Sequence, residues 1–281
     1  NDGSESFTEH AITTSADGSV SVHAADVDGD GDMDVLSASY EDDKIAWYEN
    51  DGSESFTEHA ITTSADGAHS VYAADIDADG DMDVLSASQN DDKIAWYEND
   101  GSESFTEHVI STSASLTKSV YAADVDGDGD MDVLSASKDD DKIAWYENDG
   151  SESFTAHAIS TSADGAGSVY AADMDGDGDM DVLSSSRDDD KIAWYENDGS
   201  EGFTEHAITT SANGARSVYA ADVNSDGHMD VLSASMTDDR VAWYEQEGCP
   251  ADDGTDGVNL WGECYSIENT TQLYLSNSGL S

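Results

Sequence analysis

Asp26-Val27-Asp28-Gly29-Asp30-Gly31-Asp32-Met33-Asp34 runs directly into the apolar stretch Val35-Leu36-Ser37-Ala38-Ser39, and the same pairing returns at Asp75 to Asp83, Asp124 to Asp132, Asp173 to Asp181 and Asp222 to Asp230. The period is 49 residues, kept also by His10, His59, His108, His157 and His206 and by Trp47, Trp96, Trp145, Trp194 and Trp243. Self-similarity at such a period marks an architecture in which each repeat is one small supersecondary unit that buries its faces against its neighbours. Five units fill about residues 1 to 245.

Alternating apolar and polar residues, β-branched enrichment and Gly/Asp punctuation divide each unit into four short strands. In the first unit these are Phe7 to Thr13, Ser19 to Ala25, Val35 to Ser39 and Lys44 to Glu49. Asp17-Gly18, the acidic loop, Glu41-Asp42-Asp43 and Asn50-Asp51-Gly52 connect them, residues that tolerate the positive φ of tight turns. No segment has helical periodicity. A four-stranded unit in tandem is a propeller blade, so the expected fold is all-β, a five-bladed propeller over residues 1 to 246 followed by a tail over 247 to 281. Both faces of the strands are apolar, as sandwiched blades require: Ile45 and Trp47 point one way, Ala46 and Tyr48 the other, with small residues expected toward the hub. The Phe7 strand could complete the last blade beside Val241-Ala242-Trp243-Tyr244 and close a ring of five; otherwise the five blades are an arc of a larger ring.

Short carboxylates on alternate positions of a tight loop converge on one point, which suits Ca²⁺ with its six to eight hard oxygen ligands. In the first loop Asp26, Asp28, Asp30 and Asp34 are expected to ligate through side chains and Asp32 through its carbonyl, with Gly31 allowing the sharp turn. The corresponding sets are Asp75, Asp77, Asp79, Asp81 and Asp83; Asp124, Asp126, Asp128, Asp130 and Asp132; and Asp173, Asp175, Asp177, Asp179 and Asp181. The fifth is Asp222, Asn224, Asp226, His228 and Asp230, where an amide replaces one carboxylate and weaker binding is expected. An EF-hand is excluded, since it needs a Glu at position 12 and flanking helices, whereas Ser37 stands there and the loop enters a strand. The expected cofactor is Ca²⁺, about one per repeat.

With S-V-x-A-A-D-V-D-G-D-G-D-M-D-V-L-S-A-S and the following K-I-A-W-Y-E-N-D-G in view, the unit resembles the FG-GAP/VCBS repeat family, whose loops also occur in the integrin α-subunit propeller. The resemblance covers about 245 of 281 residues. It implies a propeller with one Ca²⁺ per loop, common in secreted adhesion or glycan-binding proteins. Some fungal lectins resemble the repeat and bind sugars between blades, which would make Trp47, Trp96, Trp145, Trp194 and Trp243 a glycan platform; the competing role for these rings is packing between blades.

The chain has 64 Asp+Glu against 9 Lys+Arg, a formal net charge of -55, so bound cations are expected to offset the self-repulsion. The nine cationic side chains are spread singly along the sequence, which argues against nucleic acid and anionic membranes as partners. No stretch is long and apolar enough for a membrane helix. The expected setting is secreted or at the cell surface, with an extracellular protein or glycan as partner and self-association through blade completion as a further option. Catalysis is not expected: Ser-Ala-Ser segments lack G-x-S-x-G, the His10 series shows no recurring acid-base partner, and the positions that break the repeat, such as Leu116, Lys118, Arg216 and His228, form no evident catalytic set. In the tail, Cys249 and Cys264, the only cysteines, are expected to form one disulfide in a secreted chain. Leu273-Tyr274-Leu275-Ser276-Asn277-Ser278-Gly279-Leu280 is similar to the start of a leucine-rich repeat, with Ser278 where Asn is usual.

Overall fold

The computed structural model describes residues 7–246 and, as backbone strands, segments between 249 and 266. The first blade is β1 Ser19–Ala25, β2 Asp34–Ser39, β3 Lys44–Asn50 and β4 Phe56–Thr62; the second is β5 Ala68–Ala74, β6 Asp83–Ser88, β7 Lys93–Asn99 and β8 Phe105–Ser111. The third is β9 Thr117–Ala123, β10 Asp132–Ser137, β11 Lys142–Asn148 and β12 Phe154–Ser160; the fourth is β13 Ala166–Ala172, β14 Asp181–Ser186, β15 Lys191–Asn197 and β16 Phe203–Thr209. The fifth holds three strands, β17 Ala215–Ala221, β18 Asp230–Ser235 and β19 Arg240–Tyr244. All blades are antiparallel meanders in sequence order. Beyond them β20 Cys249–Pro250, β21 Asp256–Leu260 and β22 Glu263–Ser266 form a small sheet. The expected Cys249–Cys264 disulfide and the leucine-rich-repeat start lie outside the described side chains and residues.

Successive blades pack through apolar faces. Leu36, Ala38, Ile45 and Trp47 of the first blade meet Val71, Ala73, Val84 and Tyr97 of the second, and the same arrangement recurs down the chain. Trp47, Trp96 and Trp145 are almost wholly buried, each stacked on a histidine of its own blade (Trp47 on His59, 4.6 Å between ring centroids) and met edge-on by a phenylalanine of the next (Phe105, 6.4 Å). The repeated serines belong to this core: Ser37 Oγ shares a hydrogen bond with the Tyr48 hydroxyl at 3.3 Å, and Ser86 donates to Tyr97.

Two expectations change. Phe7 to Thr13 forms no strand, and Phe7 is exposed. The segment corresponds in register to the outer strand of a blade, not to the first strand of its own, and among the described residues it pairs with no sheet. Among the described residues the fifth blade has three strands, and nothing described covers either terminal face of the blade series. Val22 is 72% exposed where Val71 is 4%, and Val241 is 82% exposed where Ile45 is 0%. The hub is also not lined by small residues alone: His23, Tyr72, Tyr121, Tyr170 and Tyr219 on the innermost strands form a ladder of rings with centroids 4.5 to 4.8 Å apart.

One turn stores local strain. Gly18, Gly67, Gly165 and Gly214 adopt φ of 63 to 70° before the innermost strand, and in the third blade the same place holds Leu116 at φ 54°. A Cβ in the left-handed region crowds the next carbonyl and costs roughly 1 to 2 kcal/mol. Leu116→Gly should therefore raise the denaturation midpoint, by about 1 kcal/mol in unfolding free energy, read by urea unfolding; an unchanged or lowered midpoint would show that the leucine side chain compensates for its backbone.

Candidate metal centre

Each acidic loop leaves the end of an innermost strand and re-enters the sheet at its second strand. In the third blade the loop spans the gap from β9 to β10. The closing aspartate fixes it: Asp132 is fully buried, its Oδ2 accepting from Val125 N at 2.9 Å and its Oδ1 from Asn148 N at 2.8 Å. One side chain thus ties the loop's start to the end of β11. Asp34, Asp83, Asp181 and Asp230 repeat both bonds within 2.8 to 3.0 Å. The next blade locks the loop from outside, since Asn148 Nδ2 donates to Ile76 O in the preceding loop at 3.0 Å, as do Asn99 to Val27 and Asn197 to Val125.

Within this frame three carboxylates converge. Oxygens of Asp26, Asp28 and Asp34 lie within 4.8 Å of one another, as do those of Asp75, Asp77 and Asp83, of Asp124, Asp126 and Asp132, and of Asp173, Asp175 and Asp181. Asp26 Oδ1 and Asp75 Oδ1 are buried with no hydrogen-bond partner. An all-oxygen set with an orphaned carboxylate oxygen is what a hard divalent cation fits, with carbonyls and water completing the shell. Gly31, Gly80, Gly129, Gly178 and Gly227 sit at φ 93 to 101° with open space around the Cβ position, so backbone geometry alone demands glycine there.

Two further positions of each expected set lie outside these side-chain triads, one of them expected to ligate through its carbonyl. Asp30, Asp79, Asp128 and Asp177 are outside the converging sets, and each turns back to accept from the residue two ahead, as Asp128 Oδ1 does from Asp130 N at 2.9 Å. The side chains of Asp32, Asp81, Asp130 and Asp179 are packed beneath Gly52, Gly101, Gly150 and Gly199 of the following turn. In the fifth loop Asn224 Nδ2 donates to Asp226 Oδ2 and to Glu245 Oε1, both at 2.9 Å, so an amide occupies the space the carboxylates would share. With Asn224 at the middle position, Asp222 and Asp230 are two carboxylates where the other loops bring three together, and His228 stands at the position of Asp32.

A further carboxylate escaped the sequence reading. Glu98, Glu147 and Glu196 act electrostatically on Asp77, Asp126 and Asp175, and each bonds a histidine Nε2: Glu98 to His108 at 2.7 Å, Glu147 to His157 at 2.8 Å and Glu196 to His206 at 2.6 Å. The histidine series therefore does have a recurring acidic partner, and the signal was the invariant spacing of the Glu in K-I-A-W-Y-E-N. Its rings also cover the indoles: Trp47, Trp96 and Trp145 are packed and offer no open face to a sugar, whereas Trp243 is 45% exposed.

Burial pushes the carboxyls of Asp83, Asp132 and Asp181 up to about 6, against the backbone N–H groups that pull them down. Burial and then the surrounding aspartates raise Asp77 and Asp126 as well. A carboxyl whose pKa is higher folded than unfolded binds its proton more tightly in the native state. The stability it adds is fully present below the ordinary value of 3.8 and is lost as pH rises through about 6. Metal-free protein should therefore melt at progressively lower temperature from pH 4 to pH 6.5; a melting temperature that climbs over that interval would contradict the buried, proton-holding state.

The repeat pattern of FG-GAP-like proteins matches residues 1–37, 26–86, 75–135, 124–184 and 173–233. The chain belongs to the FG-GAP-like repeat family. Its matched segments run from one acidic loop through the next, so the loop is the family's own boundary mark here. No curated protein matches by sequence. Among solved structures the FG-GAP-like chain is similar to an Agrocybe aegerita lectin described for recognition of non-reducing terminal N-acetylglucosamine, at 19% identity over 75% of this chain and 60% of that one, TM-score 0.55. It is similar also to virginiamycin B lyase from Staphylococcus aureus, at 14% identity over 85% and 74%, TM-score 0.54. A putative 6-phosphogluconolactonase from Bacteroides uniformis aligns at 14% identity over 76% and 64%, TM-score 0.54. These likenesses establish the propeller fold of the FG-GAP-like chain, and the chain spans less than two thirds of the lectin's length.

Proposed function

We propose that the chain is a non-catalytic, extracellular recognition module whose acidic loops bind Ca²⁺. The observation that carries the reading is the fourfold repetition of an Asp triad within 4.8 Å, each built on a buried aspartate whose backbone bonds are already made. The ion offsets part of a net charge of -55 and stiffens the loops, which gives a rigid surface to a secreted or cell-surface protein partner. Extracellular calcium modules commonly bind at about 10⁻⁴ to 10⁻³ M, so the metal would be permanent outside a cell. Calorimetric titration with Ca²⁺ should give four sites of similar affinity and a fifth, at Asp222–Asp230, weaker or silent; no saturable uptake would overturn the reading. Glycan recognition is the second reading, on the strength of the lectin's similar fold, and saccharide-array binding separates it from a protein partner.

The free edge of β19 supports self-association by blade completion. Phe7 to Thr13 reads Phe-Thr-Glu-His-Ala-Ile-Thr, identical to β4 and β16. Trp194, the tryptophan before that edge, lacks the edge-on phenylalanine that Trp47, Trp96 and Trp145 have. The N-terminal segment of a second copy fits both gaps, and deleting it should abolish any concentration-dependent dimer seen by sedimentation.

A further inference from the structure

The nine cationic side chains fall into two sets. Lys44, Lys93, Lys142, Lys191 and Arg240 occupy one repeat position, each within 4.0 Å of the aspartate two residues earlier. The remaining four, Lys118, Lys138, Arg187 and Arg216, break the repeat. The counterparts of Lys118 and Arg216 are Val20, His69 and Gly167; those of Lys138 and Arg187 are Tyr40, Gln89 and Met236. Sequence spacing scatters these four over a hundred residues, but the fold gathers them at the mouth opposite the acidic loops.

Lys118 and Arg216 stand at the start of the innermost strands β9 and β17, whose far ends lead into the loops. Lys138 and Arg187 lie in the turns after β10 and β14, held beside the starts of β9 and β13 by Lys138 N to Leu116 O (3.2 Å) and Arg187 N to Gly165 O (3.1 Å). Adjacent blades touch at this level. His69 Nδ1 bonds Lys118 O at 2.8 Å, and the Lys118 ammonium donates to Gln89 Oε1 in the second blade. Between Lys118 and Arg216 comes Gly167 on β13, where a side chain would stand 3.8 Å from Arg216 O and 3.7 Å from Ser185 Oγ. With no side chain there, β13 separates the two cations by backbone alone, the Lys118 ammonium reaching back to the second blade and the Arg216 guanidinium lying 3.6 Å from Met236 Sδ in the fifth.

These charges are poorly matched within the protein. Among the described residues Lys118 and Arg216 form no ion pair, while Lys138 and Arg187 reach only their chain neighbours Asp139 and Asp188, at 3.7 and 3.8 Å, beyond hydrogen-bond length. The Lys118 ammonium is held below its ordinary pKa by burial and then by the charges of Lys138 and Arg216. In a chain so rich in carboxylates, like charges gathered at four exceptions to a repeat, two of them without an ion pair among the described residues, have the character of a binding site rather than of a fold requirement. The loops lie about 20 Å away along the strand at ~3.3 Å per residue, more than twice the ~8 Å screening length at physiological salt, so the two mouths act independently.

We propose that Lys118, Lys138, Arg187 and Arg216 form a single binding site for a small oxyanion, a carboxylate, sulfate or phosphate group held at this mouth beside Gly167. Guanidinium groups offer paired donors to such oxygens, and Lys118 adds a point charge. The remaining negative charge of the chain disfavours a large polyanion, which limits the ligand to a small molecule or one anionic group.

The test is titration of the Ca²⁺-loaded protein with sodium sulfate, sodium acetate and methyl phosphate at constant ionic strength, followed by amide NMR shifts. One saturable site per chain is expected for at least one probe, and the three arms rank the oxyanion chemistries. Lys118→Gln with Arg216→Gln should weaken it at least tenfold, and Lys138→Gln alone, half-buried in its turn, about threefold. Lys142→Gln, which removes a paired repeat lysine, should leave it within twofold. Shifts that stay linear with every probe, or an equal loss in Lys142→Gln, would overturn the site; an intact melting temperature and Ca²⁺ count in each variant separates that result from damage to the fold or failure of the metal reading.

Discussion

Excess chelator should lower the melting temperature of this protein by about 12 to 24 °C relative to the Ca²⁺-saturated form. With free ion at about ten times Kd, each site stabilises the native state by roughly 1.4 kcal/mol, so four sites contribute about 6 kcal/mol. A propeller of this length shifts by about 2 to 4 °C per kcal/mol. That loss is comparable to the whole stability of an ordinary domain, about 5 to 15 kcal/mol, and it coincides with the return of uncompensated repulsion among the aspartates. Scanning calorimetry at matched ionic strength reads it. A chelator shift below about 2 °C would mean that the triads are solvated turns and that the fold stands on its blade interfaces alone.

Asp132→Ala should destabilise the Ca²⁺-free protein by about 4 kcal/mol, because Val125 N and Asn148 N would be left buried without acceptors at roughly 1 to 3 kcal/mol each. The same substitution should remove one ion from the calcium count. Asp128→Ala, four residues earlier, deletes an exposed carboxylate whose one bond is to Asp130 N, and about 1 kcal/mol is expected. Urea unfolding of the pair, with and without calcium, distinguishes anchoring from ligation. Equal losses from both would return Asp128 to the ligand set in which its spacing first placed it.

The fold was legible because repetition multiplies a weak signal. β1 was delimited to the residue and the others to within one, since five copies of each turn gave the same punctuation. What repetition conceals is phase: a 49-residue period does not say where a blade begins, and Phe7 to Thr13 was grouped with the strands that follow it when its counterparts β4 and β16 close the strands before them. The loops were legible as acidic and tightly turned, but alternate spacing cannot tell which carboxylates converge: Asp28 and Asp30 each accept from the backbone N two residues ahead, yet Asp28 alone of the two joins the triad. The cationic mouth was hidden for the opposite reason. Lys118 and Arg216 are 98 positions apart and share one mouth only because their blades return innermost strands to one hub, each packed on β13 between them.

The identity of Phe7 to Thr13 with β4 and β16 reaches beyond assembly into the route by which the chain acquires its structure. A strand that fits several acceptors equally well carries no address, so a denatured chain can complete a blade with the wrong copy and remain compact. Such misthreaded states differ from the native one by whole repeats and must open extensively to correct themselves, which makes refolding from denaturant heterogeneous and slow even where the native state is favoured. Emergence from the ribosome presents each meander before its duplicate exists, and the order of synthesis supplies the information that the side chains omit.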